Sequence, residues 1–184
     1  MTGQSPPKEK EQPAVSAKKR PSVIKDILSL FLKVGSILVI FVLLFTFLYG
    51  VIPYDEPGMA PAIKDGDLVF FYRYNNVGYL PQDVIVLERD GGRIARRVVA
   101  TAGDTVDITP EGLVINGALQ QESEVFYKTD RYEEGVSFPL TVPEGQVFVL
   151  GDFRVAASDS RMFGCVSVDD TLGKVMAVVR RRNM

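Results

Sequence analysis

The chain has 184 residues, a formal net charge of -2, one Cys, no His and no Trp. A near-neutral balance supplies no basic face for nucleic acid, a single Cys excludes a disulfide within the chain, and the lack of His argues against a zinc site. Without its N-terminal tail and apolar run about 130 residues remain, enough for one domain with a core of its own.

Met1 to Arg20 carries Lys, Glu, Gln, Pro, Ser and Ala with almost no large apolar side chain, so it cannot bury enough surface to offset ordering and reads as a disordered tail. Pro21 to Lys33 is a short amphipathic approach: Ile24, Ile27, Leu28 and Leu32 recur at helical intervals, with Lys25 and Lys33 at the interface. Val34 to Tyr54 holds no charge, and a helix of that length crosses the roughly 30 Å hydrocarbon core of a bilayer. A secretory signal would have a shorter apolar region of about 7 to 15 residues and a small-residue cleavage site after it. Lys18, Lys19, Arg20, Lys25 and Lys33 precede the span, and Asp55 and Glu56 follow it. The positive-inside bias therefore places the N-terminus in the cytoplasm and the remainder outside, at the cell membrane. The expected organisation is a tail and approach over residues 1–33, a membrane helix over 34–54 and an extracytoplasmic domain over 55–184.

Past the span, Asp65-Gly66-Asp67 turns the chain into a strand, Leu68 to Tyr72. Val84 to Leu87 is a second strand, and Asp90-Gly91-Gly92 is a hairpin signal leading into Arg93 to Ala100. Val106 to Ile108 and Leu113 to Ile115 flank a turn at Pro110-Glu111-Gly112, and Asn116-Gly117 is another hairpin turn. Residues 119–139 are polar and irregular, with Tyr127, Tyr132 and Phe138 scattered through them, and read as a small inserted lobe or long loop. Those aromatics either pack the lobe, the commoner case, or form a partner-binding surface. Gln146 to Leu150 and Lys174 to Val179 are the last strands. Cys165 is expected as a buried structural thiol, and Arg180 to Arg182 as a solvated end or a contact with anionic headgroups. Short strands at near-regular spacing, separated by Gly and Pro turns, predict a mainly β fold: an antiparallel β domain preceded by one N-terminal transmembrane helix.

Three ordered stretches single out a site: Gly58-Met59-Ala60-Pro61, Arg96 to Asp104, and Gly151 to Arg161. In order and spacing they resemble the active-site boxes of bacterial signal peptidase I, the membrane-bound Ser/Lys endopeptidase that removes signal peptides. In that family the first box reads Ser-Met-x-Pro with Ser as nucleophile, the second opens Lys-Arg with Lys as general base, and the third contains a Ser that orients the Lys. Here those positions hold Gly58, Arg96 and Ala157, while Met59, Pro61, Arg97, Asp159, Ser160 and Arg161 are kept as peptide-binding or structural remnants. Gly58 has no side chain to attack a carbonyl, and a guanidinium stays protonated, so Arg96 cannot act as a base. Ala157 removes the orienting hydroxyl.

The resemblance implies a mainly antiparallel β domain whose hydrophobic rim touches the membrane and whose groove binds an extended peptide by strand addition. It also implies a non-catalytic relative of the single-span Gram-positive type, similar to signal-peptidase-like proteins that serve sortase-dependent pilus assembly. The expected role is chaperone or adaptor, with pilin subunits or the pilus sortase as partners and no cofactor, metal or nucleic acid. The competing reading is an active signal peptidase. Asp159-Ser160-Arg161 is expected to hold the site walls rather than to react. Neighbouring residues on a strand point to opposite faces, so one of Arg96 and Arg97 enters the former active site. A buried charge there requires a carboxylate, with Asp159 or Glu56 as candidates.

Overall fold

The computed structural model describes residues 23–73, 78–123 and 125–180, and the tail Met1 to Arg20 lies outside them, as do Arg181 and Arg182. The chain divides into two units, 1–41 and 42–184. One long helix, α1, runs over Val23–Leu48, 26 residues, with none of them buried. At about 1.5 Å per residue it is roughly 39 Å long, enough to cross a bilayer. It contains no Pro, and its charges are confined to Lys25, Asp26 and Lys33 in its first part. A soluble helix of this length would bury one face against its own protein; this one buries none.

The helix ends at Leu48, short of Tyr54, to which the apolar run is predicted to span. Tyr49–Pro53 is instead a strand, β1, whose alternate residues Gly50 and Ile52 are buried. Gly50 lies against the Phe71 ring, where a Cβ would come within 2.2 Å of the ring edge. The small residue thus lets the strand seat on its neighbour. Tyr54, assigned from the sequence to the end of the membrane run, sits in the core of the β domain.

The other strands are β2 (Leu68–Tyr72), β3 (Val84–Arg89), β4 (Gly92–Thr101), β5 (Thr105–Thr109), β6 (Gly112–Ile115), β7 (Ala118–Leu119), β8 (Leu140–Thr141), β9 (Gln146–Leu150), β10 (Val166–Ser167) and β11 (Thr171–Val179). They form a seven-stranded antiparallel sheet in the order β1-β2-β11-β3-β4-β9-β10 and a four-stranded sheet in the order β7-β6-β5-β8. The last strand, β11, returns to lie between β2 and β3, which ties the end of the β domain to its beginning. The pairing of β4 with β9 shifts register between Val98 and Ala100. Such a bulge adds a residue to one strand and bends it, here just beyond Arg96 and Arg97.

Ile52, Tyr54, Met59, Ile63, Val69, Phe71, Val86 and Ala95 pack into one core, beneath the first box. A second core joins the small sheet to the large one: Val106, Ile108, Leu113 and Val142 pack against Ala100, Phe148 and Leu150. The lobe therefore begins at β5 and ends at β8, wider than the 119–139 segment expected from polar composition. Cys165 is only half-buried at the margin of this second core rather than enclosed in it, and burial pushes its thiol pKa up.

Candidate functional site

Gly58 lies in a single 3-10 turn, Pro57–Met59, that links β1 to β2. Pro57 suits the first position of such a turn because its fixed φ is helical and its missing N–H would have had no partner. Met59 anchors the turn in the core, while Pro61 is exposed. The Gly58 carbonyl accepts from the N–H of Phe153 at 3.0 Å, which fastens the first box to the third.

Arg96 comes from β4, opposite Ile85, and its side chain is fully buried. Glu56 provides the carboxylate: Nη1 donates to Oε2 and Nη2 to Oε1, each at 2.8 Å, a bidentate fork. Nε donates to the Ser158 carbonyl at 2.8 Å and Nη1 also to the Ala95 carbonyl at 2.6 Å. The Tyr54 hydroxyl donates to Glu56 Oε2 at 2.5 Å. Burial alone would raise the Glu56 pKa, but the hydrogen bonds from Arg96 and Tyr54 outweigh it and hold the carboxyl below its usual range. Burial, then the adjacent carboxylate, pushes the Tyr54 phenol well up. Burial would lower Arg96, and Glu56 more than offsets that. The cluster is an ionised Glu and Arg with a neutral Tyr: the guanidinium and the phenol hold their protons, and the carboxylate is made a weaker base than usual.

Gly58, Arg96 and Ala157 meet at one place. A Cβ on Gly151 would lie 2.2 Å from the Ala157 Cβ, 2.5 Å from the Gly58 carbonyl oxygen and 3.5 Å from Arg96 Nε. A Cβ on Gly58 would lie 2.4 Å from Glu56 Oε1, 2.9 Å from Oε2 and 3.0 Å from Arg96 Nη1. The carboxylate thus crowds the place that the first side-chain atom at position 58 would take.

Arg97 leaves the opposite face of β4 and forks onto Asp152, Nε to Oδ1 at 2.8 Å and Nη2 to Oδ2 at 2.6 Å. Asp159 caps a one-turn helix, α2 (Ser160–Phe163), by accepting from the Arg161 N–H. It also accepts from the Gly151 N–H and from Arg161 Nε and Nη2. Ser160 Oγ accepts from the buried Val149 N–H at 2.9 Å. Arg161 continues to the carbonyls of Asp130 and Arg154, with its guanidinium over the Tyr132 ring. These side chains satisfy buried backbone groups of β9, the third box and the lobe. Glu56 and Asp159 are each paired with a different Arg, Arg96 and Arg161.

Of the lobe aromatics, Tyr132 donates to the Ala157 carbonyl at 3.0 Å and Phe138 packs edge-on against Phe148. Tyr127 meets Phe153 edge-to-face at 4.8 Å. With Phe126, Ala60, Pro61 and Lys64 this pair lines a groove of about 440 Å³ beside the first box. Arg154 is buried, carried across to the lobe by an ion pair with Glu122, and burial lowers its pKa. Among the described residues no group of three His, Cys, Asp or Glu side chains is placed to hold a metal ion.

The family model of signal peptidase, peptidase S26, matches residues 27–180. This chain belongs to the signal peptidase I family. Signal peptidase IB of Staphylococcus aureus is 31% identical over 161 residues, covering 76% of this chain and 84% of that protein. Signal peptidase I of Bacillus licheniformis is 31% identical over 137 residues, covering 67% and 72%. Among solved structures, signal peptidase I of Enterococcus faecalis V583 aligns at 31% identity with a TM-score of 0.45, covering 54% of this chain and 97% of that one. Of the two candidate carboxylates that a buried Arg96 is expected to need, the structure selects Glu56 and gives Asp159 to Arg161. The signal in the sequence is the cost of burying Arg96 unpaired. What it does not carry is the Tyr54 hydroxyl that joins the pair.

Proposed function

We propose that this chain is a non-catalytic signal peptidase I relative, anchored by α1 with its N-terminus in the cytoplasm, whose β domain holds an extended peptide without cutting it. Its role is that of a chaperone or adaptor in sortase-dependent pilus assembly, with a pilin subunit or the pilus sortase as the partner. The observation that carries the non-catalytic reading is the Gly58 position. No hydroxyl is present there, the adjacent base position is a permanently charged guanidinium, and an ionised carboxylate fills the space between. The charge pattern flanking the span supports the orientation. The pilus role rests on the resemblance to pilus-associated members of the family, some of which lack the Ser and the Lys.

The full chain in detergent micelles, incubated with a signal-peptide substrate, tests the first part: no processing above a protein-free control is expected. Cleavage above that control would favour the second reading, an active signal peptidase, which the names of the relatives favour. Deleting the gene tests the second part, since high-molecular-weight pilus polymers should be lost from the cell surface. Normal polymers would remove the pilus role.

A further inference from the structure

We infer that Glu56 is a built-in plug: its carboxylate, clamped by Arg96 and Tyr54, occupies the volume of the absent nucleophile and closes the site to a scissile carbonyl. Gly58 and Glu56 are then a matched pair, and the inference rests on the non-catalytic reading above.

The geometry is restrictive. Real Cβ atoms do not approach other heavy atoms to 2.4 Å, so any side chain at position 58 must displace the Glu56 carboxylate. A flexible Glu on the surface would swing aside at little cost. This one is held by a bidentate fork from Arg96 and a short bond from Tyr54. Shifting it strains that fork, and withdrawing it altogether would leave the fully buried Arg96 guanidinium without its counter-charge, which is far more costly than moving a solvated acid. A neutral peptide carbonyl entering the site offers a charge-dipole contact in place of an ion pair, so it does not displace the carboxylate. Its oxygen would also gain negative charge during attack beside an anion, the reverse of the stabilisation that acyl transfer needs. A bound peptide therefore runs along the groove without placing a carbonyl at Gly58.

Restoring the chemistry at the three family positions is consequently insufficient. In G58S/R96K/A157S the side chain introduced at position 58 would meet Glu56. The same carboxylate beside the amine introduced at position 96 would favour its protonated form and so disable the base. The full chain in micelles is assayed with a signal-peptide substrate as this triple variant and as the quadruple variant that adds Glu56→Ala. Expected is no cleavage by the triple variant and at least tenfold more by the quadruple one. A triple variant as fast as the quadruple overturns the plug while leaving the wild-type reading intact. Thermal melting decides the case in which neither cleaves. Gly58→Ala should lower the melting temperature by several degrees in the wild type and by less than half as much in an E56A/R96M background, where the carboxylate and its buried partner are both gone. Equal losses in the two backgrounds overturn the plug. Cleavage by the wild type would sink the non-catalytic reading and the plug with it, whereas a triple variant as fast as the quadruple, with an inert wild type, sinks the plug alone.

Discussion

Replacing Glu56 by Ala should be among the most destabilising single changes outside the apolar core, and more so than replacing its partner. The two ends of the pair are unequally buried: the Arg96 side chain is 0% exposed and that of Glu56 23%. Removing the carboxylate leaves a buried guanidinium unpaired, for which broken buried pairs suggest about 3–5 kcal/mol. The carbonyls of Ser158 and Ala95 still accept from Nε and Nη1, which points to the lower end, about 3 kcal/mol. For a domain of this size that is a fall in Tm of roughly 10 °C. Arg96→Met removes the charge from the interior and leaves Glu56 with Tyr54 and partial access to water, so it should cost about half as much. The double variant E56L/R96M replaces both charges by apolar volume and should recover much of the loss, since such exchanges are often near neutral. Urea unfolding of the full chain at fixed micelle concentration, followed by circular dichroism, measures all three. Loss of less than about 1 kcal/mol in E56A, or a greater loss in R96M than in E56A, would refute the argument that Arg96 depends on this carboxylate.

The folded-state pKa of Glu56 lies below its unfolded value, so its contribution is complete above about pH 4.3 and is lost as pH falls through the lowered value. Acid unfolding should set in below about pH 4, more shallowly in E56Q. Asp104, lowered chiefly by the Thr101 N–H, acts in the same range, and D104N serves as the comparison. Tyr54 is shifted upward, so its contribution is complete below about pH 10 and is lost as pH rises toward the raised value. Y54F should flatten that alkaline arm. At Gly173, φ is +144° and a Cβ would lie 2.1 Å from the Tyr72 carbonyl oxygen. Gly173→Ala should therefore cost about 3 kcal/mol or more and disturb the β2–β11 pairing. Gly103→Ala meets nothing within 4 Å at φ +88° and should cost only about 1–2 kcal/mol; similar losses in a pair of melts would contradict the steric account. Ser160→Ala leaves the buried Val149 N–H without its acceptor and should cost about 1–3 kcal/mol, read by the same unfolding curves.

Strands bounded by Gly and Pro turns were readable because local chemistry sets them. Leu68–Tyr72 and Gln146–Leu150 match their predicted limits, and Arg93 to Ala100 is extended by one residue at each end. The junction after α1 was not readable. Tyr49-Gly50-Val51-Ile52 is apolar in either conformation, and its fate is decided by long-range pairing of Tyr49 with Tyr72 and Ile52 with Val69. The lobe was drawn too narrowly for a similar reason. Polar composition marks 119–139, whereas the unit is defined by Val106, Ile108 and Leu113 packing on Phe148, a contact that no local window contains. α2 has a single turn, and the Asp159 cap rather than any periodicity creates it.

The site shows the same division between what a motif displays and what packing requires. The motif displays Gly58, Arg96 and Ala157 where the resemblance expects Ser, Lys and Ser, but the side chain that packs among them is Glu56, forty residues from the Arg it pairs with. Absence of chemistry alone would permit Ala, Val or Thr-sized replacements with equal indifference at position 58. The structure is not indifferent. A Cβ there falls 2.4 Å from a carboxylate oxygen, so it must shift that carboxylate and strain the bidentate fork on the buried Arg96. Glycine leaves the pair undisturbed where any larger residue would have to move it, so what position 58 tolerates is set by the charge at 96 as well as by chemistry.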